Sequence, residues 1–228
     1  MTPADRASMR ETLRAALGLA LLPDATLEHP GVLSVPAPAT PDALIERFRR
    51  ELTALGGQVH EASDTGEVCG LIEAILASEP GQPASVLAWD DRELPLPGIG
   101  AALRARGINV LHQQAGDLAS SEQRQTMAAA TVGITSALAA LAETGSVVLA
   151  SGPGRGRLAS LLPLVHVAVV RRTDLIDSLS ALIAREPALF SRGTNVVCIT
   201  GPSRTADIEH TLSRGVHGPR DIHVVFVK

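Results

Sequence analysis

Three stretches of the 228-residue chain set ionisable side chains, in two of them with hydroxyls, beside glycine, a combination that lets backbone approach a ligand closely while side chains act on it. The first is Ala142-Glu143-Thr144-Gly145-Ser146, a carboxylate and two hydroxyls between apolar runs. A carboxylate buried there needs a partner or carries a raised pKa, which suits general acid–base work. Glu143 is the candidate catalytic group, with Thr144, Gly145 and Ser146 as ligand contacts. A structural glutamate satisfied by backbone donors is the plainer alternative.

The second stretch is Thr200-Gly201-Pro202-Ser203-Arg204-Thr205-Ala206-Asp207-Ile208-Glu209. The apolar run 196–199 reads as a strand leading into Gly201-Pro202-Ser203, and a helix is expected over 205–213. Ser203 would cap that helix, amides free at its start would hold an anion, and Arg204 adds positive charge. Gly201, Pro202, Ser203, Arg204, Thr205 and Asp207 are therefore candidate anion contacts. The alternative is a capped helix start in which Asp207 and Glu209 balance the dipole.

The third, Gly215-Val216-His217-Gly218-Pro219-Arg220, is a turn in which His217 is a second candidate catalytic group and Gly218 and Arg220 are candidate contacts. A plain loop with a hydrogen-bonded histidine is the alternative. All these turns are expected to meet at one rim, at the carboxyl ends of strands, and to shape a pocket for a negatively charged group.

A fourth segment, Ser151-Gly152-Pro153-Gly154-Arg155-Gly156-Arg157, is glycine-rich and basic but lacks the Gly-Lys-Ser/Thr ending of a P-loop and is no clean GxGxxG. It is expected to be a flexible loop over the site. His29, His60, His112, His166, His210 and His223 are scattered without an HExxH pair, and His166 alone stands near a suspect loop. No GxSxG elbow anchors a hydrolase triad. Cys69 and Cys198 lie far apart in apolar segments, outside any CxxC pair, and are expected to be buried free thiols, so no zinc or iron–sulfur site is expected on this chain.

The elements that must position these turns follow from periodicity. Residues 3–20 have helical spacing, and 21–40 are rich in proline, so the first 40 residues read as a helical and extended arm and 41–228 as the main domain. From Pro41, helices and strands alternate: helix 42–55, strand 58–62, helix 65–77, strand 85–89, helix 99–106, strand 108–112, helix 120–129, strand 131–135. This predicts a mostly parallel sheet covered on both faces. Residues 140–150 read as a hairpin-like or bent strand. A short helix 157–162, strand 165–170, helix 174–185, strand 195–200 and last strand 222–227 follow.

Hydrophobic residues make up 45% and aromatics only 2%, so the core must be built from Ala, Val, Leu and Ile. A net charge of -4 and few stacking groups give no reason to expect nucleic acid. The apolar stretch 127–142 is mostly Ala with interspersed Thr, Ser and Gly and reads as core, not as a membrane span, and a start without a signal pattern favours the cytoplasm.

Several of these pieces, in this order, closely resemble the LUD domain family: Val132-Gly133-Ile134-Thr135, the Ala142–Ser146 turn, Leu162-Pro163 with His166 and Val167, the Ile199–Glu209 run, and Gly215–Arg220. The resemblance covers about residues 41–228. It implies a three-layer α/β/α fold with a mostly parallel sheet, like that of the NagB/RpiA/CoA-transferase group. It also implies a role in lactate utilisation, the conversion of L-lactate to pyruvate by a multi-protein complex. In such a complex the iron–sulfur clusters reside on partner subunits, and this chain, binding no cofactor, would be a non-redox member that is not catalytic alone. Two alternatives stay open: a stand-alone enzyme acting on a phosphorylated or CoA-linked small molecule, and a scaffold subunit with a relic pocket. One departure stands out. The family commonly carries a Gly-Ala-Asp-like segment where this chain reads Ser136-Ala137-Leu138.

Overall fold

The structure, a computed structural model, describes residues 8–12, 14–15, 40–113, 120–189, 195–206 and 212–228. The chain forms two compact units, Met1–Val35 and Pro36–Lys228. In the first, residues 8–12 and 14–15 are helical, and Thr12 Oγ1 donates to Ser8 O at 3.0 Å.

The second unit begins with α1 (Pro41–Ala54), whose N-terminus is capped by Thr40 and which buries Ile45, Phe48 and Leu52 on one face. Gly56, at φ 87°, ends it in the left-handed conformation that a glycine accepts without strain. The chain continues through β1 (Gln58–Ala62), α2 (Thr65–Ala77), β2 (Ser85–Ala88), α3 (Ile99–Ala105), β3 (Asn109–His112), α4 (Ser121–Ala128) and β4 (Val132–Thr135). Asp64 caps α2 while Glu67 reaches back to the Ser63 amide at 2.7 Å, a reciprocal cap that fixes the start of this helix.

After β4 come β5 (Ala139–Leu141), β6 (Ser146–Ala150), a 3-10 turn (Arg157–Ser160), β7 (Val165–Arg171) and β8 (Leu175–Ile176). Then follow α5 (Leu179–Arg185), β9 (Val196–Thr200), β10 (Arg204–Ala206), β11 (Leu212–Arg214) and β12 (Asp221–Val227).

Six strands make one parallel sheet in the order β1-β12-β7-β4-β2-β3. Every residue of β2 and β4 is buried, as are six of seven in β7 and in β12, so both faces of the sheet's centre are covered. This is the expected α/β fold with a mostly parallel central sheet and flanking helices. Phe48 of α1 meets Phe226 of β12 edge-on, with ring centroids 5.2 Å apart, one of few aromatic contacts in a core made of aliphatic side chains.

A second sheet, in the order β8-β5-β6-β9, was not foreseen as a separate layer. The expected bend at 140–150 is its β5–β6 hairpin. Its side chains alternate: Ala140, Ala142, Val147 and Leu149 join the main core, whereas Ala139, Leu141 and Val148 form a smaller core with Leu182 of α5 and Leu189.

Two expected helices are corrected. Residues 174–185 divide into β8 and α5, because Leu175 and Ile176 pair with Ala140 and Leu141. Residues 205–213 do not begin or end as a helix: β10 and β11 pair antiparallel, Arg204 with Arg214 and Ala206 with Leu212. Asp207 lies outside the described residues, as does Glu209. Among the described residues, no helix is long and apolar enough to cross a membrane.

Candidate functional site

The loop after β9 and the loop before β12 interlock. The Ser203 amide donates to Pro219 O at 2.9 Å, and the Gly215 amide donates to Ser203 O at 3.1 Å. A β-carbon on Gly218 would sit 3.5 Å from the Ser203 β-carbon, an ordinary van der Waals contact, so the two turns lie side by side. The backbone of Ser203 is thus spent on a loop-to-loop clasp, not on capping a helix. Gly201, at φ 77°, packs against Leu55 just past α1, and the Arg204 guanidinium donates to Leu55 O.

Between these loops and the 3-10 turn lies a pocket of about 320 Å³. Its walls come from Arg157 and Ser160 of the 3-10 turn, from β9 through Thr200, from Gly201–Arg204 and from His217–Pro219; His166 and Ile222 also line it. Among the described residues, no carboxylate lines it. Arg157 has no ion-pair or hydrogen-bond partner for its guanidinium among the described residues, so its charge is available to a ligand. The pocket takes in the carboxyl end of β9, as expected, but meets β7 and β12 at their second residues, His166 and Ile222, near their amino ends.

Of the residues singled out in the sequence, Gly201, Pro202, Ser203, Arg204, His217 and Gly218 come together here. Glu143 does not: it is exposed in the turn between β5 and β6, its amide donating to Asp177 O at 2.8 Å, and it is not among the lining residues. Its neighbours connect to the pocket indirectly. Thr144 Oγ1 is 2.6 Å from Ser146 Oγ, and Ser146 Oγ is 2.6 Å from Thr200 Oγ1, a hydroxyl relay that ends on a pocket wall. Gly145, at φ 62°, lies against the backbone of Leu52, where a β-carbon would approach the Leu52 amide nitrogen to 2.5 Å. Arg220 is also elsewhere. It donates to Asp221 at 2.8 Å and to Glu79, tying the start of β12 to the segment after α2.

The glycine-rich segment 151–157, expected to be a flexible loop over the site, is instead tied down beside β2. The Asp90 amide donates to Gly154 O at 2.9 Å, the Trp89 indole donates to Gly156 O at 3.0 Å, and Gly152 and Arg155 bond each other. A second pocket, about 350 Å³, opens there and includes Ser136, Ala137 and Leu138. It sits at the carboxyl ends of β2, β4 and β7, where open α/β sheets commonly bind ligands. Its charges are matched internally: Arg155 faces Glu93 at 3.6 Å, and Asp174 lies in the field of Arg171 and Arg185. That balance makes it a poorer anion site than the first pocket.

Sequence reasoning missed two features. Cys198 is exposed on β9 and lines the first pocket, while Cys69 is buried as expected. Histidines scattered in sequence gather at β1, β7 and β12: His60 Nε2 is 3.0 Å from His223 Nδ1, and His166 is held below its usual pKa, at about 4, by burial and then by the field of His223. Burial likewise depresses His223 to about 4, with His60 adding to the effect and Asp221 opposing it. Strand adjacency of β1 with β12 brings His60 and His223 together, and no local pattern announces that pairing. Among the described residues, no group of three or more His, Cys, Asp or Glu side chains is placed to hold a metal ion.

The family model described as LUD domain matches residues 45–227. The chain belongs to the LUD domain family. Lactate utilization protein C of Shouchella clausii is 38% identical to it over 138 residues, which is 59% of this chain and 58% of that protein. Lactate utilization protein C of Macrococcus caseolyticus is 30% identical over 184 residues, 79% of this chain and 76% of that protein. The chain therefore spans less than two thirds of the first of these relatives and three quarters of the second. A crystal structure of a DUF162 family protein from Deinococcus radiodurans shares the fold: it covers 84% of this chain and 100% of its own, with a TM-score of 0.57 at 20% identity. In this LUD chain residues 199–204 and 217–219 line the first pocket, and Ser146 reaches its Thr200 wall through a hydroxyl contact.

Proposed function

We propose that this chain is a non-redox component of a cytoplasmic lactate-utilisation system, and that it contributes a pocket for a small anion. In this reading L-lactate becomes pyruvate with its electrons taken up by iron–sulfur partner subunits, and this chain supplies no cluster ligands. Its likeness to proteins named lactate utilization protein C supports the lactate role. One observation carries the anion pocket: among the described residues two arginines, Arg157 and Arg204, line it and no carboxylate does. Ser160, Thr200, Ser203 and His217 surround that charge with hydrogen-bonding groups able to orient an oxyanion. Glu143, exposed and outside the pocket, is assigned no catalytic step in this proposal.

The test is growth on L-lactate of a strain lacking the gene, complemented by wild type or by Arg157→Ala. Wild type is expected to restore growth and to co-purify with iron–sulfur proteins. Arg157→Ala is expected to fold and co-purify normally but to restore growth poorly. Unimpaired lactate growth on deletion, together with a chain that purifies alone, contradicts the role. Full rescue by Arg157→Ala contradicts the pocket's part in it.

A further inference from the structure

His166 is 1% exposed yet lines the first pocket. Its Nε2 is 2.9 Å from Thr135 Oγ1 at the end of β4. Its Nδ1 is buried with no hydrogen-bond partner among the described residues. A buried polar atom is nearly always satisfied in a folded protein, so an unpartnered one on a residue that lines a cavity marks a place where the cavity's occupant can supply the missing partner. The surroundings keep this ring in place: His166 lies beside Gly133 of β4 and Ile222 of β12 in the sheet. Gly133 in turn lets the backbone of Ala159 close down over that face, since a β-carbon there would lie 1.7 Å from Ala159 O.

We propose that His166 reads the neutral end of the bound anion, offering Nδ1 to a hydroxyl or oxo group while Thr135 holds the ring through Nε2. The ligand class is a small 2-hydroxy or 2-oxo carboxylate. This rests on the reading of the pocket as an anion site, with Arg157 and Arg204 facing the carboxylate end. Burial keeps the ring uncharged, with a pKa of about 4, so it takes part as a neutral hydrogen-bonding group, not as a second cation. A neutral imidazole has one donor and one acceptor nitrogen, and the Thr135 hydroxyl can either give or take a proton bond. When Nε2–H donates to Thr135, Nδ1 accepts from a ligand hydroxyl. When Thr135 donates to Nε2, Nδ1–H donates to a ligand oxo group. One ring, by exchanging tautomers, accommodates both a hydroxy acid and the corresponding oxo acid without moving. The volume of about 320 Å³ suits a small ligand.

The test is a titration of the full chain, labelled at its imidazole nitrogens, with L-lactate, pyruvate and inorganic phosphate in turn. L-lactate is expected to bind and shift the His166 Nδ1 resonance as an acceptor nitrogen, and pyruvate to shift it as a protonated one. Two variants separate ligand reading from structure. His166→Asn puts an amide near the place of Nδ1 and is expected to retain affinity to within about threefold. His166→Gln puts an amide near the place of Nε2, keeps the contact to Thr135, and is expected to lose about tenfold or more. A histidine that serves only to brace Thr135 gives the reverse order. Lactate binding with an unmoved His166 signal, or undiminished binding by His166→Gln, overturns this inference and leaves the anion pocket standing. Binding of phosphate alone does the same. No binding of any of the three overturns both.

Discussion

Gly133→Val is expected to destabilise the protein by about 3 kcal/mol or more, measured as a fall in the urea midpoint at unchanged slope. Gly133 lies in the middle of the parallel sheet, where glycine is otherwise a poor strand residue. What requires it is the 3-10 turn: a β-carbon would stand 1.7 Å from Ala159 O and 2.9 Å from Ala159 C. Those are backbone atoms, so no side-chain rotation relieves the clash, and either β4 or the turn must move. The turn carries Arg157 and Ser160 into the pocket, so the same substitution is expected to weaken anion binding in whatever fraction still folds. Gly70→Ala supplies the contrast. Gly70 is an exposed residue within α2, and a β-carbon there meets nothing within 4 Å. That change is expected to stabilise by roughly 0.5–1 kcal/mol through helix propensity alone. Equal and small effects at both glycines would show that the close approach of β4 to the 3-10 turn is not a constraint.

Acid is expected to unfold this protein earlier than its carboxylates alone would dictate. His166 and His223 have pKa values near 4 in the folded chain against the ordinary 6.5. For His166 burial is the main cause and the field of His223 the second. For His223 burial again leads, then His60, while Asp221 pulls the other way. His60 is depressed as well, by burial and then Arg49.

Between pH 6.5 and about 4 the unfolded chain carries these protons and the folded chain does not. Stability is therefore complete above 6.5 and declines as the pH falls toward 4, with roughly one to two protons taken up on unfolding. For His166 alone the full loss is on the order of 3 kcal/mol. Asp174 works in the opposite direction, because burial raises its pKa and the folded state then holds its proton more tightly. Urea unfolding at pH 7.5, 6.5, 5.5 and 4.5 checks the sign, as buffers chosen to span the window, and His166→Gln is expected to flatten the profile. A stability constant across that range contradicts the buried neutral histidines.

The parts of the fold set by local rules were legible. β1 and α2 stand at the residues expected, 58–62 and 65–77, and local features fix them: Gly56-Gly57 ends one helix, and the Asp64–Glu67 cap seen in the structure starts the next. The continuous apolar runs of β2, β4 and β7 likewise announced strands buried on both faces. What distant pairing decides was not legible. Leu175 and Ile176 look helical in a helical neighbourhood, yet β5 recruits them as a strand. The 204–206 and 212–214 segments look like the flanks of a capped helix, but pairing makes them a hairpin.

The site divides in the same way. Ser203 and His217 meet because their loops clasp through Pro219 and Gly215, and the glycine and proline of those loops gave that away. Glu143, drawn in by its polar company, instead turns outward. His166 reads in sequence as one polar residue inside a strand. That Thr135 takes its Nε2 while its Nδ1 stays unpartnered among the described residues is fixed only in the folded chain.

The first pocket is expected to bind a small carboxylate through Arg157. Calorimetric titration of the full chain with L-lactate tests it most directly. The expected result is saturable binding that weakens as salt is raised and falls about tenfold or more in Arg157→Ala. Binding that ignores both salt and Arg157→Ala, or no binding at all, would contradict it.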